Sequence, residues 1–77
     1  MENKYLDGTI SRRGDIVSTK DRLYVVVDPE HADGVIFLAT IEPPLGYTRK
    51  AHVADCQITI PSLKAKRTAV EVLSQFE

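Results

Sequence analysis

The chain has 77 residues, with ten basic and eleven acidic side chains and one cysteine. This length corresponds to one small domain with a thin hydrophobic core, which self-association commonly supports, so a homodimer is predicted. The balanced charge argues against a protein that coats nucleic acid nonspecifically, since such proteins carry a strong basic excess. A single cysteine excludes an intrachain disulfide and a cysteine–histidine zinc site. Neither a metal nor a cofactor is therefore predicted. No apolar run is long enough for a signal peptide or a membrane span, and the unpaired thiol predicts a cytoplasmic protein.

Short apolar runs, each bounded by turn residues, predict strands along most of the chain. Residues 1–12 are mixed and polar and are expected to form an N-terminal arm or an edge strand, while residues 13–77 are expected to form a single domain. In that domain the predicted strands cover, in chain order, residues 16–17, 23–27, 35–40, 51–54 and 57–60. The run 23–27 is continuously apolar, which is typical of a strand buried on both faces.

Turn residues predict where these strands end. Residues 18–21 have the length of a hairpin connection. Pro29 is expected to end the second strand, because proline cannot donate a hydrogen bond to a β ladder. Pro43 and Pro44, followed by Gly46, predict a stiff connector that is neither helix nor central strand.

The C-terminal segment is ambiguous in its periodicity. Ser62 is expected to cap a single helical turn that extends through Lys66. Residues 68–73 fit a strand slightly better than a helix, because the β-branched Val70 and Val72 stand at alternate positions. A helix remains open as an alternative, since it would place on one face Ala69, Val72, Leu73 and Phe76.

Short strands, proline and glycine turns and little helix together predict a mainly-β fold. So small a sheet must curl in order to cover its own core. We therefore expect a small SH3-like, partly open barrel with one short helical turn.

The order of several motifs resembles the MazF/PemK family of toxin ribonucleases. These motifs are Arg-Gly-Asp-Ile-Val at 13–17, Arg-Leu-Tyr-Val-Val-Val at 22–27, Val-Ile-Phe-Leu-Ala-Thr at 35–40, and the segment 52–60 with the basic turn at 64–67. Each motif is weak alone, and their correct order carries the resemblance. Compared with the family, the chain is shortened at the first loop, and a shortened C-terminus without the family's helix is expected.

The resemblance implies a metal-free endoribonuclease that acts on single-stranded RNA, with Arg22 and Thr40 as the candidate catalytic pair. A guanidinium can contact two phosphoryl oxygens, and a hydroxyl can position an oxygen or transfer a proton. It also implies a cognate antitoxin, or another protein, as partner. The structural alternatives are a solvated Arg22, paired with Asp21 or Asp28, and a Thr40 that serves only strand packing.

A second set of candidate residues follows the proline turn. Tyr47, Arg49 and Lys50 place an aromatic ring beside two cations, a combination suited to base stacking and phosphate contact and equally to a protein interface. The alternative function is therefore a non-catalytic SH3-like binding module for a protein or a nucleic acid. An inhibitor of a cellular or phage enzyme is a third possibility, since the related gyrase-poisoning toxins share this architecture.

Overall fold

A computed structural model describes residues 2–20 and 22–76 of the chain. The strands are β1 (Ile16–Thr19), β2 (Arg22–Ala32), β3 (Val35–Thr40), β4 (Thr48–His52) and β5 (Gln57–Ile58), and the one α-helix is α1 (Leu63–Ser74). All strand pairs are antiparallel, and the sheet is open with the spatial order β4-β3-β2-β1-β5. The predicted mainly-β fold is confirmed.

Strand β2 separates two hydrophobic clusters, one on each face of the sheet. Its side chains alternate, so Tyr24 and Val26 enter one cluster while Val25 and Val27 enter the other. The first, here the arm-side cluster, also contains Tyr5, Val17, Ile36, Leu38, Ala51, Val53 and Cys56. The second, the helix-side cluster, also contains Ile16, Ala39, Ile41, Ala69 and Val72. Within the run 23–27, which was predicted to be buried on both faces, residues 24–27 are buried and Leu23 is half-buried.

The strand predicted at 35–40 has the predicted bounds, whereas the other strands differ in theirs. The hairpin between β1 and β2 is confirmed, but Ser18 and Thr19, predicted to lie in its connection, belong to β1 and pair with β2; Asp21 lies outside the described residues. The strand predicted at 51–54 lies earlier, at Thr48–His52, and a 3-10 turn follows at Val53–Asp55. The strand predicted at 57–60 is limited to Gln57–Ile58.

The prediction that Pro29 ends the second strand is wrong. Strand β2 continues to Ala32, and its register against β3 shifts between Val26 and Asp28 and again between Asp28 and Ala32. Pro29 lies in the second irregularity and has no paired residue in β3. The ladder therefore requires no amide proton there, and the strand passes through the proline at a bulge.

The C-terminal segment is a helix of twelve residues, so the preference for a strand and the limit of one helical turn are both wrong. Ser62 caps the helix as predicted, because its hydroxyl accepts the Ala65 amide at 3.1 Å. Ala69 and Val72 are buried against the sheet and Val70 is exposed, which is helical and not strand periodicity. The chain thus has the C-terminal helix that the sequence was expected to lack. At this length α1 cannot span a bilayer, and no longer helix occurs among the described residues.

The N-terminal arm is fastened to the sheet by buried polar groups. Asn3, 3% exposed, donates from its amide nitrogen to the carbonyl oxygens of Pro29, Ala32 and Val35, at 2.9–3.1 Å. Its amide oxygen accepts the Gly34 amide at 2.9 Å. One side chain therefore satisfies the backbone groups of the turn between β2 and β3.

The buried hydroxyl of Tyr5 is expected to make the fold less stable at alkaline pH. Its hydroxyl donates to Asp15 Oδ2 at 2.9 Å and accepts from Ser11 at 3.3 Å. Burial raises the pKa of Tyr5 far above its usual value; the Ser11 hydrogen bond opposes this rise and Asp15 adds to it. A raised folded-state pKa gives stability that is complete below the unfolded value, about 10, and is lost as the pH rises beyond it.

We therefore expect the free energy of unfolding to fall above pH ~10, by up to about 1.4 kcal/mol per pH unit from this group. The free energy of unfolding of Tyr5→Phe should fall less steeply with pH than that of the wild type, as measured by urea unfolding over a pH series. Tyr47→Phe is the matched control, since Tyr47 is 65% exposed. Equal slopes for the wild type and Tyr5→Phe would contradict this account.

Candidate functional site

The first candidate residue, Arg22, begins β2 and is exposed. It is the cross-strand partner of Thr19 and lies two residues before Tyr24, which places Arg22 and Tyr24 on the same face of the sheet. Tyr24 in turn is the cross-strand partner of Thr40. The two residues of the predicted catalytic pair thus share a face, with their positions offset by about 7 Å along the strands.

Thr40, the other residue of the predicted catalytic pair, forms hydrogen bonds to the connector that follows it. The residue is 5% exposed, and its hydroxyl donates to the Pro44 carbonyl at 2.7 Å and accepts the Tyr47 amide at 3.0 Å. Its backbone amide donates to the Tyr47 carbonyl, and its carbonyl accepts the Gly46 amide. With both its proton and a lone pair engaged, this hydroxyl holds the shape of the 41–47 connector.

The connector presents Tyr47 to solvent. The backbone bond between Thr40 and Tyr47 extends the β3–β4 ladder by one pair beyond Thr48, so Tyr47 lies on the same face as Arg49. Gly46 allows the chain to enter β4 at this point, because its φ of 79° is accessible to glycine at no steric cost. The side chain of Tyr47 remains 65% exposed.

Arg49 lies over the ring of Tyr24. Its guanidinium carbon is 6.0 Å from the ring centroid, and Nη1 donates to the Tyr24 hydroxyl at 3.4 Å. This cation–π contact restricts the guanidinium to the sheet surface while the residue stays exposed. Within residues 2–20 and 22–76, no carboxylate forms an ion pair with Arg22 or Arg49. The alternative pairing of Arg22 with Asp28 is therefore not formed, and its pairing with Asp21 lies outside the described residues.

Lys50 faces the other side of the sheet. It is the cross-strand partner of Phe37, which packs against the helix-side cluster, whereas Arg49 pairs with Leu38 of the arm-side cluster. The predicted trio is thus divided: the strand register places Tyr47 and Arg49, but not Lys50, on the face that Arg22 occupies two strands away on β2. We call this group, with Tyr24 at its centre, the arginine–tyrosine face: Arg22, Tyr24, Tyr47 and Arg49.

Two residues of this region carry no signal of their own in the sequence. Tyr24 lies within an apolar run, and only the strand register reveals that its hydroxyl reaches Arg49. Cys56 is a buried thiol below the same face. Burial raises the pKa of the Cys56 thiol, Asp55 raises it further, and Arg49 acts in the opposite direction. The neutral thiol is a packing group and not a nucleophile.

The described residues bring together no three histidine, cysteine, aspartate or glutamate side chains in a metal-binding arrangement. The arginine–tyrosine face therefore consists of cations and aromatic rings. No protein-family model, no curated protein and no solved structure matches the chain.

Proposed function

We propose that this chain is a small binding module that holds single-stranded RNA on the arginine–tyrosine face without cleaving it. The observation that carries the proposal is the combination on one face of an exposed Tyr47 with the exposed guanidiniums of Arg22 and Arg49, neither of which forms an ion pair with a carboxylate of the described residues. Single-stranded nucleic acids bind where aromatic rings accept stacked bases beside cations that contact phosphates. A local site of this kind is compatible with a net charge of −1.

Binding is favoured over cleavage by the state of the Thr40 hydroxyl. In the ribonucleases that the sequence resembles, this position would have to approach the reacting phosphate. Here the residue is 5% exposed and its hydroxyl is engaged with Pro44 and Tyr47. Proton transfer requires a group within hydrogen-bond reach of the reacting atom, and access to Thr40 would first require opening of the connector. The homodimer and the antitoxin partner stay predictions.

The first test compares two adjacent cations of β4 that face opposite sides of the sheet. Arg49→Ala is expected to weaken binding of a fluorescein-labelled RNA of mixed sequence, about 12 nucleotides long, by about tenfold. Lys50→Ala removes the same charge from the other face and should change the affinity less than about twofold. Fluorescence polarisation at about 50 mM salt makes the electrostatic contribution measurable.

Tyr47→Ala should reduce the affinity by about 5- to 150-fold, because base–aromatic stacking contributes about 1–3 kcal/mol. Equal losses of RNA affinity from Arg49→Ala and Lys50→Ala would mean that binding depends on net charge alone, and this would contradict a site on the arginine–tyrosine face. No binding of RNA by the wild type at high protein concentration would refute the proposal and favour a protein partner on this face.

A further inference from the structure

A second surface lies away from the arginine–tyrosine face, between β5 and α1. It is an open apolar groove with a volume of about 440 Å³. The residues that line it include Ile16, Ile58 and Pro61 on the sheet side and Lys66, Ala69 and Val70 of α1. Its walls are thus the start of β1, the edge strand β5 and the exposed side of α1.

Large exposed apolar side chains are concentrated around this groove. Ile58 is 40% exposed and Val70 is 68% exposed, and both line it. Ile60, which is fully exposed, precedes Pro61 of the wall, and Leu63, 65% exposed, begins α1. Contiguous apolar surface on a small domain is typical of an interaction site.

Lys66 lines the groove and Arg67 follows it in α1, whereas Lys64 lines a separate depression beside Glu42. The carboxylate of the groove lining, Asp15, accepts hydrogen bonds from the Tyr5 hydroxyl and the Arg12 amide. Cations near a helix N-terminus are disfavoured by the helix dipole, so their arrangement does not serve the stability of the helix. Neither Lys66 nor Arg67 forms an ion pair with a carboxylate of the described residues. A second copy of the chain across a twofold axis would bring the same cations together, whereas an acidic partner would neutralise them.

The backbone of β5 offers an unpaired edge. Among the described strands, β5 pairs with β1 alone and ends the sheet. The Thr59 amide donates to the Ile16 carbonyl, so the alternation of an antiparallel ladder directs the amide and carbonyl of Ile58 away from β1. An extended peptide can add to such an edge through main-chain hydrogen bonds and place alternate side chains in a neighbouring groove.

We propose that the β5–α1 groove binds an extended segment of a partner protein in which apolar and acidic residues alternate. The apolar side chains of that segment enter the groove beside Val70, and its carboxylates contact Lys66 and Arg67. The segment continues the sheet at β5. The β5–α1 groove is separate from the arginine–tyrosine face, because β5 and β4 are opposite edges of the sheet.

The test uses a fluorescein-labelled synthetic peptide of alternating valine and glutamate, about eight residues long, a length matched to a strand. We expect the protein to bind it and to bind the valine–lysine analogue at least about tenfold more weakly. Val70→Asp should reduce the affinity for the acidic peptide by about tenfold or more. Leu6→Asp, which makes the same exchange at an 81% exposed residue of the arm, should leave it within about twofold.

Other occupants of the groove would give other results. Failure of the acidic peptide to bind, or equal effects of Val70→Asp and Leu6→Asp, would overturn the proposal. A wild-type dimer in sedimentation velocity that Val70→Asp dissociates would assign the groove to a second copy of the chain. RNA binding that depends on Val70 instead of Arg49 would assign it to nucleic acid. Circular dichroism of each variant confirms that the fold is retained.

Discussion

Val72→Asp is expected to destabilise the protein by about 3–5 kcal/mol, because it places an unpaired carboxylate in an apolar cluster. Val72 is 1% exposed and packs with Val25 and Ala69 in the helix-side cluster. A protein of 77 residues has a total stability of roughly 4–12 kcal/mol, so this single change can unfold most of the population. Thermal and urea unfolding followed by circular dichroism measure the loss.

Val70→Asp is the matched control, since it makes the same exchange two positions earlier on the exposed side of α1. It should change the free energy of unfolding by less than about 0.5 kcal/mol. In a strand, Val70 and Val72 would lie on one face and would respond alike. Similar effects of the two substitutions would therefore contradict the helix and its docking on the sheet.

Asn3→Ala is expected to lower the free energy of unfolding by about 2–4 kcal/mol, although Asn3 lies in the polar N-terminal arm. The substitution removes three donated hydrogen bonds and the acceptor of the Gly34 amide. Buried backbone groups that lose their partner carry most of the cost, since each is left desolvated. Urea unfolding compares the variant with the wild type.

Lys4→Ala serves as the control on the same arm. Lys4 is exposed and pairs with Ile10 through the backbone, which an alanine leaves in place. Lys4→Ala should lower the free energy of unfolding by no more than about 0.5 kcal/mol. If Asn3→Ala were as mild as Lys4→Ala, the arm would not be an integral part of the fold.

The strands were predictable where apolar periodicity decides the structure. The runs 23–27 and 35–40 fold as strands because each can bury alternating side chains in two clusters. Pro29 was misread because a bulge removes the need for its missing amide, and bulges have no local signature here. The C-terminal helix was kept only as the alternative to a strand, because two β-branched valines outweighed the Ser62 cap and the helix-forming residues around them.

The candidate site was predictable in its residue types and not in its arrangement. Tyr47 and Arg49 were selected as an aromatic–cation pair, and they share a face with Arg22. Lys50 was grouped with them because the strand was expected to begin at residue 51; a start at Thr48 sends Lys50 to the opposite face. The engagement of Thr40 depends on tertiary hydrogen bonds to Pro44 and Tyr47, which sequence periodicity does not contain.

A nuclear magnetic resonance titration of the isotope-labelled protein with the RNA, followed by gel analysis of the same RNA, distinguishes binding from cleavage. We expect chemical-shift changes at Arg22, Tyr24, Tyr47 and Arg49, and an RNA that remains intact. Arg22→Ala is the appropriate variant for this comparison, because Arg22 is exposed whereas Thr40 supports the connector. RNA cleaved without metal by the wild type and left intact by Arg22→Ala would contradict the proposal of binding without catalysis.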